Sequence, residues 1–187
     1  MHIFLTGEIQ VGKSTVIAKT LSLLKITPGG FKTYFGPDRE LPERLLYMNS
    51  GSEPKIFREE NVVARFFRDQ PPRILTEKFN TYGAELIRSA RVDPGLILMD
   101  ECGSLEREAL IFQKEVMDTL AGNIPVLGVV KLASSGWTEQ IRNHPKVRLI
   151  TVTRENRDAL PAILAQQIAA ETDDKILLIK NSAAAEQ

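Results

Sequence analysis

The chain has 187 residues, of which 43% are hydrophobic, so a single globular domain with a sizeable core is expected. Lysine plus arginine (24) balances aspartate plus glutamate (24), and this zero formal charge gives no basis for non-specific binding to nucleic acid. A single cysteine excludes an internal disulfide framework, and no apolar run approaches the roughly 20 residues of a membrane span, so we expect a cytoplasmic protein without a membrane partner.

The first motif lies between a predicted strand, His2–Thr6, and a predicted helix, Ser14–Lys25. It matches G-x-x-x-x-G-K-[ST], a phosphate-binding loop, with the residues Gly7, Glu8, Ile9, Gln10, Val11, Gly12, Lys13 and Ser14. Unpaired N–H groups at a helix N-terminus hold phosphate, and the two glycines let the backbone approach it closely. The motif predicts that Lys13 binds the β- and γ-phosphates, that the Ser14 hydroxyl binds Mg²⁺, and that Thr15 completes the nucleotide-binding segment.

A different composition marks residues 27–72, which hold six of the ten prolines and seven of the twelve aromatic residues. Residues typical of strands, on either side of a proline-rich turn, predict strands at Gly30–Gly36 and Arg44–Asn49. One or two more strands are predicted within Lys55–Phe67. We predict a β-hairpin insertion that packs on the edge of the main sheet. Its aromatic residues are interpreted as a small core, with a base-stacking platform as the alternative.

The remaining segments alternate between apolar strands and amphipathic helices, which predicts a mostly parallel α/β sheet. The predicted helices are Thr76–Arg91, Glu106–Ala121, Trp137–Asn143 and Ala159–Glu171. The predicted strands are Leu96–Met99, Val126–Lys131, Val147–Val152 and Ile176–Ile179, and Asp93-Pro94-Gly95 is a predicted turn. We therefore expect one domain over residues 1–180 and a short C-terminal tail over residues 181–187.

Two carboxylates follow the apolar strand at Leu96–Met99, in the pattern known as Walker B. Asp100 is placed to bind Mg²⁺, and Glu101 to orient or deprotonate an attacking water molecule; the alternative for Glu101 is a solvated acid at a strand end. Glu106 is expected to start the next helix, where an acid suits the dipole. It is too far along the chain to share that water unless the turn at Gly103 folds back.

With both motifs present, the chain resembles the small P-loop nucleoside triphosphatases of the thermophile type, which are related to a human cancer-related nucleoside triphosphatase. The resemblance extends in order over most of the chain, through the phosphate-binding loop, the segment Gly30-Phe31-Lys32-Thr33, residues 100–106 and Asn156-Arg157-Asp158-Ala159-Leu160-Pro161. It implies a RecA-like sheet and Mg²⁺-dependent hydrolysis of several nucleoside triphosphates to diphosphate and phosphate.

The chain departs from the family pattern at several positions. The family's loop is usually richer in proline and glycine than residues 8–11 here, and Tyr34-Phe35-Gly36-Pro37 stands where a glutamate and an arginine usually follow. Cys102 replaces an isoleucine, and Lys131 ends the strand that usually ends in histidine or arginine. The resemblance therefore supports the roles of the carboxylates but not the substrate contacts of the insertion.

Two further sites are predicted by position in the sheet. In RecA-like sheets the strand after Walker B lies between the P-loop strand and the Walker B strand, so Lys131 is predicted to sense the γ-phosphate or to stabilise the transition state. A solvated lysine after the strand is the alternative. Asn156 or Arg157 is predicted to line the base or ribose, because loops after parallel strands hold ligands. Helix capping by Asn156 or Asp158 is the competing interpretation.

The sequence lacks the motifs that define two other classes of P-loop protein. A GTPase would carry Asn-Lys-x-Asp, and an ABC-type ATPase would carry Leu-Ser-Gly-Gly-Gln, and neither is present. A kinase for a small acceptor stays open, with a lid built from Arg39, Arg44, Arg58, Arg65 and Arg68, and so does a slow nucleotide-dependent switch. A solvated, charged hairpin surface is the simpler interpretation of these arginines.

Overall fold

The computed structural model describes residues 1–37, 41–92, 95–132 and 136–171. The strands are β1 (His2–Thr6), β2 (Gly29–Phe35), β3 (Glu43–Ser50), β4 (Val62–Phe67), β5 (Arg73–Ile74), β6 (Ile97–Cys102), β7 (Val126–Val130) and β8 (Val147–Thr151). The helices are α1 (Lys13–Leu24), α2 (Thr76–Lys78), α3 (Ala84–Ala90), α4 (Leu110–Ala121), α5 (Trp137–Arg142) and α6 (residues 160–171). The predicted strand Ile176–Ile179, the tail over 181–187 and most of the turn at 93–95 lie outside the described residues.

The strands form one mixed sheet in the order β5-β4-β3-β2-β6-β7-β1-β8. Pairing is parallel from β2 through β6, β7 and β1 to β8, which confirms the predicted mostly parallel α/β sheet. Strand β7 lies between β1 and β6, as expected for a RecA-like order. Parallel strands end at the same edge, so the loops after β1, β6 and β7 meet there.

We predict that residues 27–72 pack on the edge of the main sheet. The structure differs, because their first strand is part of that sheet. This first strand, β2, pairs in parallel with β6 and places Lys32 beside Asp100. From β2 the sheet continues in antiparallel order through β3 and β4 to the edge strand β5. Strand β2 is thus the second neighbour of β6, beside β7. The first strand of this segment therefore belongs to the parallel part of the sheet.

Each face of the sheet has its own hydrophobic core. Side chains alternate along a strand, so Phe4 faces one layer and Leu5 the other. The first layer is covered by α3, α4 and α5 and includes Phe31, Ile87, Met99, Phe112 and Ile141. The second is covered by α1 and α6 and includes Ile3, Val16, Ile17, Leu98, Leu127 and Leu164. No helix in the described ranges has the length and apolar character that crossing a bilayer requires.

The aromatic residues of the antiparallel extension pack against one another. The rings of Tyr34 and Tyr47 are stacked with their centroids 6.1 Å apart, and the Phe57 ring meets both edge-on. Both tyrosines are buried, and the Tyr34 hydroxyl donates to the carbonyl oxygen of Ile56 at 2.9 Å. These contacts match the small core that we predicted, since rings packed in this way offer little face to a base.

Two predicted helices differ from the structure in a way that bears on the site. The helix predicted at Thr76–Arg91 contains a π-helical turn, Phe79–Gly83, between α2 and α3. The helix predicted from Glu106 begins only at Leu110, because Glu106 turns its side chain inward instead of lying on the first turn. The expectation that Glu106 would interact with a helix dipole was therefore wrong.

Candidate active site

The loop of residues 7–14 has the backbone conformation that its glycines predict. Gly7 and Gly12 have φ angles of 139° and 113°, which side-chain-bearing residues rarely adopt. A Cβ atom at Gly7 would lie 2.6 Å from the carbonyl oxygen of Val152, so the loop also needs glycine there for space. Gly12 is the N-cap of α1, a helix of 12 residues whose first N–H groups therefore open onto the loop.

The side chains of this loop divide into an anchor and an open rim. Val11 is buried in the second core layer, whereas Glu8, Ile9 and Gln10 are exposed. The Lys13 ammonium donates to the carbonyl oxygens of Gly7 at 2.9 Å and Glu8 at 2.8 Å, so it lies across the loop. Ser14 and Thr15 are exposed at the start of α1.

Asp100 joins the loop to the Walker B strand. Its carboxyl group is buried on β6, where the Ser14 hydroxyl lies near enough to favour the ionised form. Burial, and then the charge of Glu101, raise the pKa of Asp100 to about 7, while Ser14 and the charge of Lys13 act in the opposite direction. The structure thus brings together the two residues that the motifs select as oxygen ligands for a metal ion.

Glu101 and Lys131 approach each other at the ends of two neighbouring strands. The Lys131 ammonium lies 3.7 Å from a Glu101 carboxylate oxygen, and both side chains are partly exposed. Thr33 on β2 supports this corner, because its hydroxyl donates to the carbonyl oxygen of Asp100 at 3.2 Å and accepts the Glu101 N–H at 3.3 Å. In the sequence Thr33 stands out only as part of a family motif, and its spacing does not predict this bridging contact.

A cavity of about 110 Å³ lies beside this pair of charges. Its polar lining comes from Thr33, Glu101, Glu106 and Lys131, and its apolar lining from Phe35, Leu46, Phe66 and Leu105. Burial raises the pKa of Glu106 to about 7, and hydrogen bonds from the N–H groups of Gly103 and of Glu106 itself act in the opposite direction. The turn at Gly103 therefore does fold back, and a second carboxyl group reaches the cavity that Glu101 lines.

A second opening, of about 230 Å³, lies on the other side of the loop, along α1. It is lined by Gly12, Thr15, Val16, Lys19, Arg157 and Asp158. The Arg157 guanidinium donates to the carbonyl oxygen of Val11 at 3.3 Å, so this side chain lies directly against the loop. Arg157 is thus beside an opening large enough for part of a nucleoside.

Asn156 has a different environment from its neighbour. Its amide oxygen accepts the Thr153 N–H at 2.8 Å, and its amide nitrogen donates to the carbonyl oxygen of Thr151 at 2.9 Å. Both ends of the side chain are therefore bonded to the backbone, one at the last residue of β8 and one in the loop after it. This arrangement favours a role in shaping the turn over a role in contacting the base. It differs from the helix capping that was the competing interpretation, because both bonded groups precede Asn156 in the chain.

Three arginines of the proposed lid have partners within residues 27–72. Arg65 forms ion pairs with Glu43 and Glu59, and the Arg44 guanidinium lies 5.3 Å from the centre of the Phe35 ring. Arg58 lies 3.9 Å from Glu60. Arg39 lies outside the described residues. These contacts fit the simpler interpretation of a charged hairpin surface.

Cys102 and His2 are both buried, and their surroundings favour a structural role for each. Burial raises the pKa of Cys102 well above its usual value, and the charges of Glu106, Glu101 and Asp100 act in the same direction. His2 is bonded to the carbonyl oxygen of Leu120 at 3.0 Å, and burial lowers its pKa to about 4. Neither environment favours a reactive group, since the thiol and the imidazole are both held neutral.

The fold and the site together define a class of protein. A glycine loop between β1 and α1, with a buried aspartate of a neighbouring parallel strand next to the serine of that loop, is the arrangement of a P-loop NTPase. A sequence profile of the family described as NTPase matches residues 2–165. The chain belongs to this family of nucleoside triphosphatases, whose substrates are nucleotides.

The relatives point in the same direction. The chain is 28% identical over 179 residues to nucleoside-triphosphatase THEP1 of Thermofilum pendens, with 90% of this chain and 96% of that protein covered. It is 31% identical over 173 residues to THEP1 of Methanosarcina barkeri, with coverage of 89% and 97%. It is 30% identical over 183 residues to the human cancer-related nucleoside-triphosphatase, with coverage of 85% and 92%.

The solved structures give the same answer for the fold. The crystal structure of THEP1 from Aquifex aeolicus superposes with a TM-score of 0.71 at 22% sequence identity, and covers 90% of this chain and 99% of that one. The match extends beyond the P-loop to nearly the whole of both chains. The family profile and the relatives therefore agree on a thermophile-type nucleoside triphosphatase, and the solved structure agrees with its fold.

Proposed function

We propose that this NTPase hydrolyses Mg²⁺-bound nucleoside triphosphates to nucleoside diphosphate and phosphate at the edge where β1, β6 and β7 end. The observation that carries this proposal is the position of Ser14, at the end of the phosphate loop, next to the buried Asp100 of the Walker B strand. Around these two residues stand the Lys13 ammonium and, at the neighbouring strand end, the Glu101–Lys131 pair. A cytoplasmic location, where Cys102 stays reduced, is part of the same proposal.

The donor set at Ser14 and Asp100 fits Mg²⁺. This ion binds through oxygen atoms, and the Ser14 hydroxyl and the Asp100 carboxylate supply two of them, whereas burial raises the pKa of the nearby Cys102 thiol and keeps it from acting as a thiolate ligand. Ser14 and Asp100 would therefore hold the ion. An ion held there would supply positive charge that offsets the negative charge developing on the phosphates.

The chain's own residues perform the remaining steps. The N–H groups of residues 7–14 and the Lys13 ammonium bind the β- and γ-phosphates. Glu101 orients a water molecule and accepts its proton as the water oxygen bonds to the γ-phosphorus. The bond from the γ-phosphorus to the β–γ bridging oxygen breaks, diphosphate leaves, and the Lys131 ammonium stabilises the charge on the transferring group.

The test is a variant that separates binding from chemistry. In Glu101→Gln the base is lost while the loop, Lys13 and Asp100 remain, so Mg-triphosphate should bind about as tightly as to wild type. Single-turnover hydrolysis should slow by roughly 10²–10⁴-fold, the usual effect of losing a positioned base. Glu108→Gln, an exposed acid further along the same turn, is the matched control and should hydrolyse normally. Hydrolysis at the wild-type rate in Glu101→Gln would rule out Glu101 as the base.

For the nucleoside, we propose that Arg157 lines the site and that Asn156 acts on it only by shaping the loop. Arg157 borders the opening along α1 and lies against the loop at Val11. Arg157→Ala should therefore raise the KM for triphosphate with little change in kcat, because the contact is made equally in the ground and transition states. Arg154→Ala, in the same loop, is the control.

The measurement is phosphate release from each of four nucleoside triphosphates, which also reports the base preference. It is run with and without small hydroxyl acceptors, since a kinase would transfer phosphate to them. An unchanged KM for all four nucleotides in Arg157→Ala would place the nucleoside elsewhere.

A further inference from the structure

The turn between β6 and α4 brings Glu106 back to the reaction corner. The side chain of Glu106 is 2% exposed, and its carboxyl oxygen accepts the Gly103 N–H at 2.8 Å. The carbonyl oxygen of the same glycine accepts the indole N–H of Trp137 at 2.8 Å. Gly103 is thus held from both sides, by an acid on its own turn and by the first residue of α5.

The Lys131 side chain packs directly against Gly103. A Cβ atom at Gly103 would come within 2.9 Å of the Lys131 Cδ and 3.3 Å of its Cε. The backbone of Lys131 is fixed at the same place, because its N–H donates to the carbonyl oxygen of Cys102 at 3.0 Å. The position of this turn therefore determines the course of the lysine from Cα to its ammonium group.

The direct contact between Lys131 and Glu101 is too long to set their positions by itself. Their nitrogen and oxygen atoms are 3.7 Å apart, whereas charge-assisted hydrogen bonds of this kind are about 2.7–2.9 Å long. Glu106, Glu101 and Lys131 line one cavity of about 110 Å³. A continuous set of contacts thus leads from Glu106 through Gly103 to Lys131 and on to Glu101.

We propose that Glu106 is a positioning residue for hydrolysis: its carboxyl oxygen holds the Gly103 turn, and the turn sets where the Lys131 ammonium lies relative to Glu101. The inference rests on the proposed roles of Glu101 and Lys131. Because the contact that matters is an oxygen accepting an N–H, an amide oxygen serves as well as a carboxylate. A side chain of similar size without an acceptor does not.

Two substitutions of Glu106 distinguish its role as a hydrogen-bond acceptor from that of a side chain that only fills space. Glu106→Gln keeps an oxygen for the Gly103 N–H and should keep kcat within about threefold of wild type, whereas Glu106→Leu should lose about 10²-fold, the scale of a misplaced catalytic group. KM and the affinity for diphosphate should stay unchanged in both. Glu115→Gln is the control, because Glu115 is also buried and bonded to Arg88 and Arg91; it should lower stability but not kcat.

A second variant reaches the same lysine from the other side. Gly103→Ala leaves Glu106 in place but directs a Cβ against Lys131, so kcat should again fall without a change in diphosphate affinity. This variant carries the test if Glu106→Leu does not fold. If Glu106→Gln is as slow as Glu106→Leu, or if Glu106→Leu turns over at the wild-type rate, the inference is overturned.

The decisive measurement is a double-mutant cycle with Lys131→Met. If Glu106 acts through the lysine, adding Glu106→Leu to Lys131→Met should change kcat by less than about twofold, because the two changes remove one interaction. Losses that multiply would overturn the inference and leave the role of Lys131 intact. A Lys131→Met single variant with wild-type kcat would instead remove the proposed role of Lys131, and this inference with it.

Discussion

Asp100 is a buried acid whose ionised form is unfavourable in the folded protein. Its pKa is raised from 3.8 to about 7, first by burial and then by the charge of Glu101. A carboxyl group with a raised pKa binds its proton more tightly in the folded than in the unfolded state. The folded state therefore loses stability as the pH rises from about 4 to about 7, and this loss persists at higher pH.

Asp100→Asn should therefore stabilise the protein in the absence of nucleotide. At pH 8 the free energy of unfolding should increase by on the order of 2 kcal/mol, because the buried charge is removed and each pKa unit corresponds to about 1.4 kcal/mol. The gain should shrink as the pH is lowered through the window from 7 to 4, where wild-type Asp100 takes up its proton.

Urea unfolding at several pH values measures this difference. Asp118→Asn, at an exposed acid on α4, is the control and should show no gain of this kind. Equal stability of wild type and Asp100→Asn at pH 8 would mean that the acid is not destabilised by burial. A gain in stability together with the loss of metal-dependent binding would be the usual conflict between activity and stability at an active site.

Among the helices, α4 begins without a capping side chain of its own. The amide oxygen of Asn80, on the π-helical turn, accepts the N–H groups of Ile111 at 3.0 Å and Phe112 at 3.3 Å. Two of the first N–H groups of α4 are thus satisfied by a residue about thirty positions earlier in the chain. This contact ties α4 to the π-helical turn that precedes α3, on the face of the sheet that both helices help to cover.

Asn80→Ala should lower the free energy of unfolding by about 1 kcal/mol, the usual effect of removing a helix cap. For a chain of this size that corresponds to a fall in Tm of about 2–4 °C. Thr81→Ala, at an exposed neighbour, is the matched control because the Thr81 hydroxyl bonds only within its own helical segment, to the carbonyl oxygen of Glu77. Equal melting temperatures for the two variants would contradict the cap.

Elements and residues differ in how far the sequence determines them. The loop over residues 7–14 and the carboxylates at the end of β6 were predictable, because their spacing encodes a local backbone geometry. The contacts of Thr33 and Glu106 were not, because they depend on β2 lying beside β6 and on a turn folding back, which residue spacing does not record. The π turn at Phe79–Gly83 escaped for a similar reason, since one extra residue per turn hardly changes an apolar pattern.

For the molecule as a whole, the site is assembled from loops that are far apart in sequence. Residues 7–15, 100–106, Lys131 and Arg157 meet only when β7 has entered the sheet between β1 and β6. A ligand that bridges these loops binds the folded state alone, so it should stabilise the whole domain and not only its own loop.

Lys13→Ala should abolish most of that stabilisation while leaving the fold intact. With Mg-triphosphate at about 100 times its Kd, wild type should gain about 2.7 kcal/mol, and the variant should gain little. Thermal unfolding with and without nucleotide measures the gain, and Lys114→Ala, an exposed lysine on α4, serves as the control. A thermal shift of wild-type size in Lys13→Ala would mean that the phosphate loop is not the binding site.

The pairing of β2 with β6 has a practical consequence for shortening this protein. Residues 27–72 resemble a removable appendage, yet deleting them would leave the Walker B strand with one side of its backbone N–H and C=O groups unpaired. Such a bare edge is a template on which other chains add strands, so the shortened protein should self-associate. Length can instead be changed at the connection between β2 and β3, which leaves the neighbour of β6 in place.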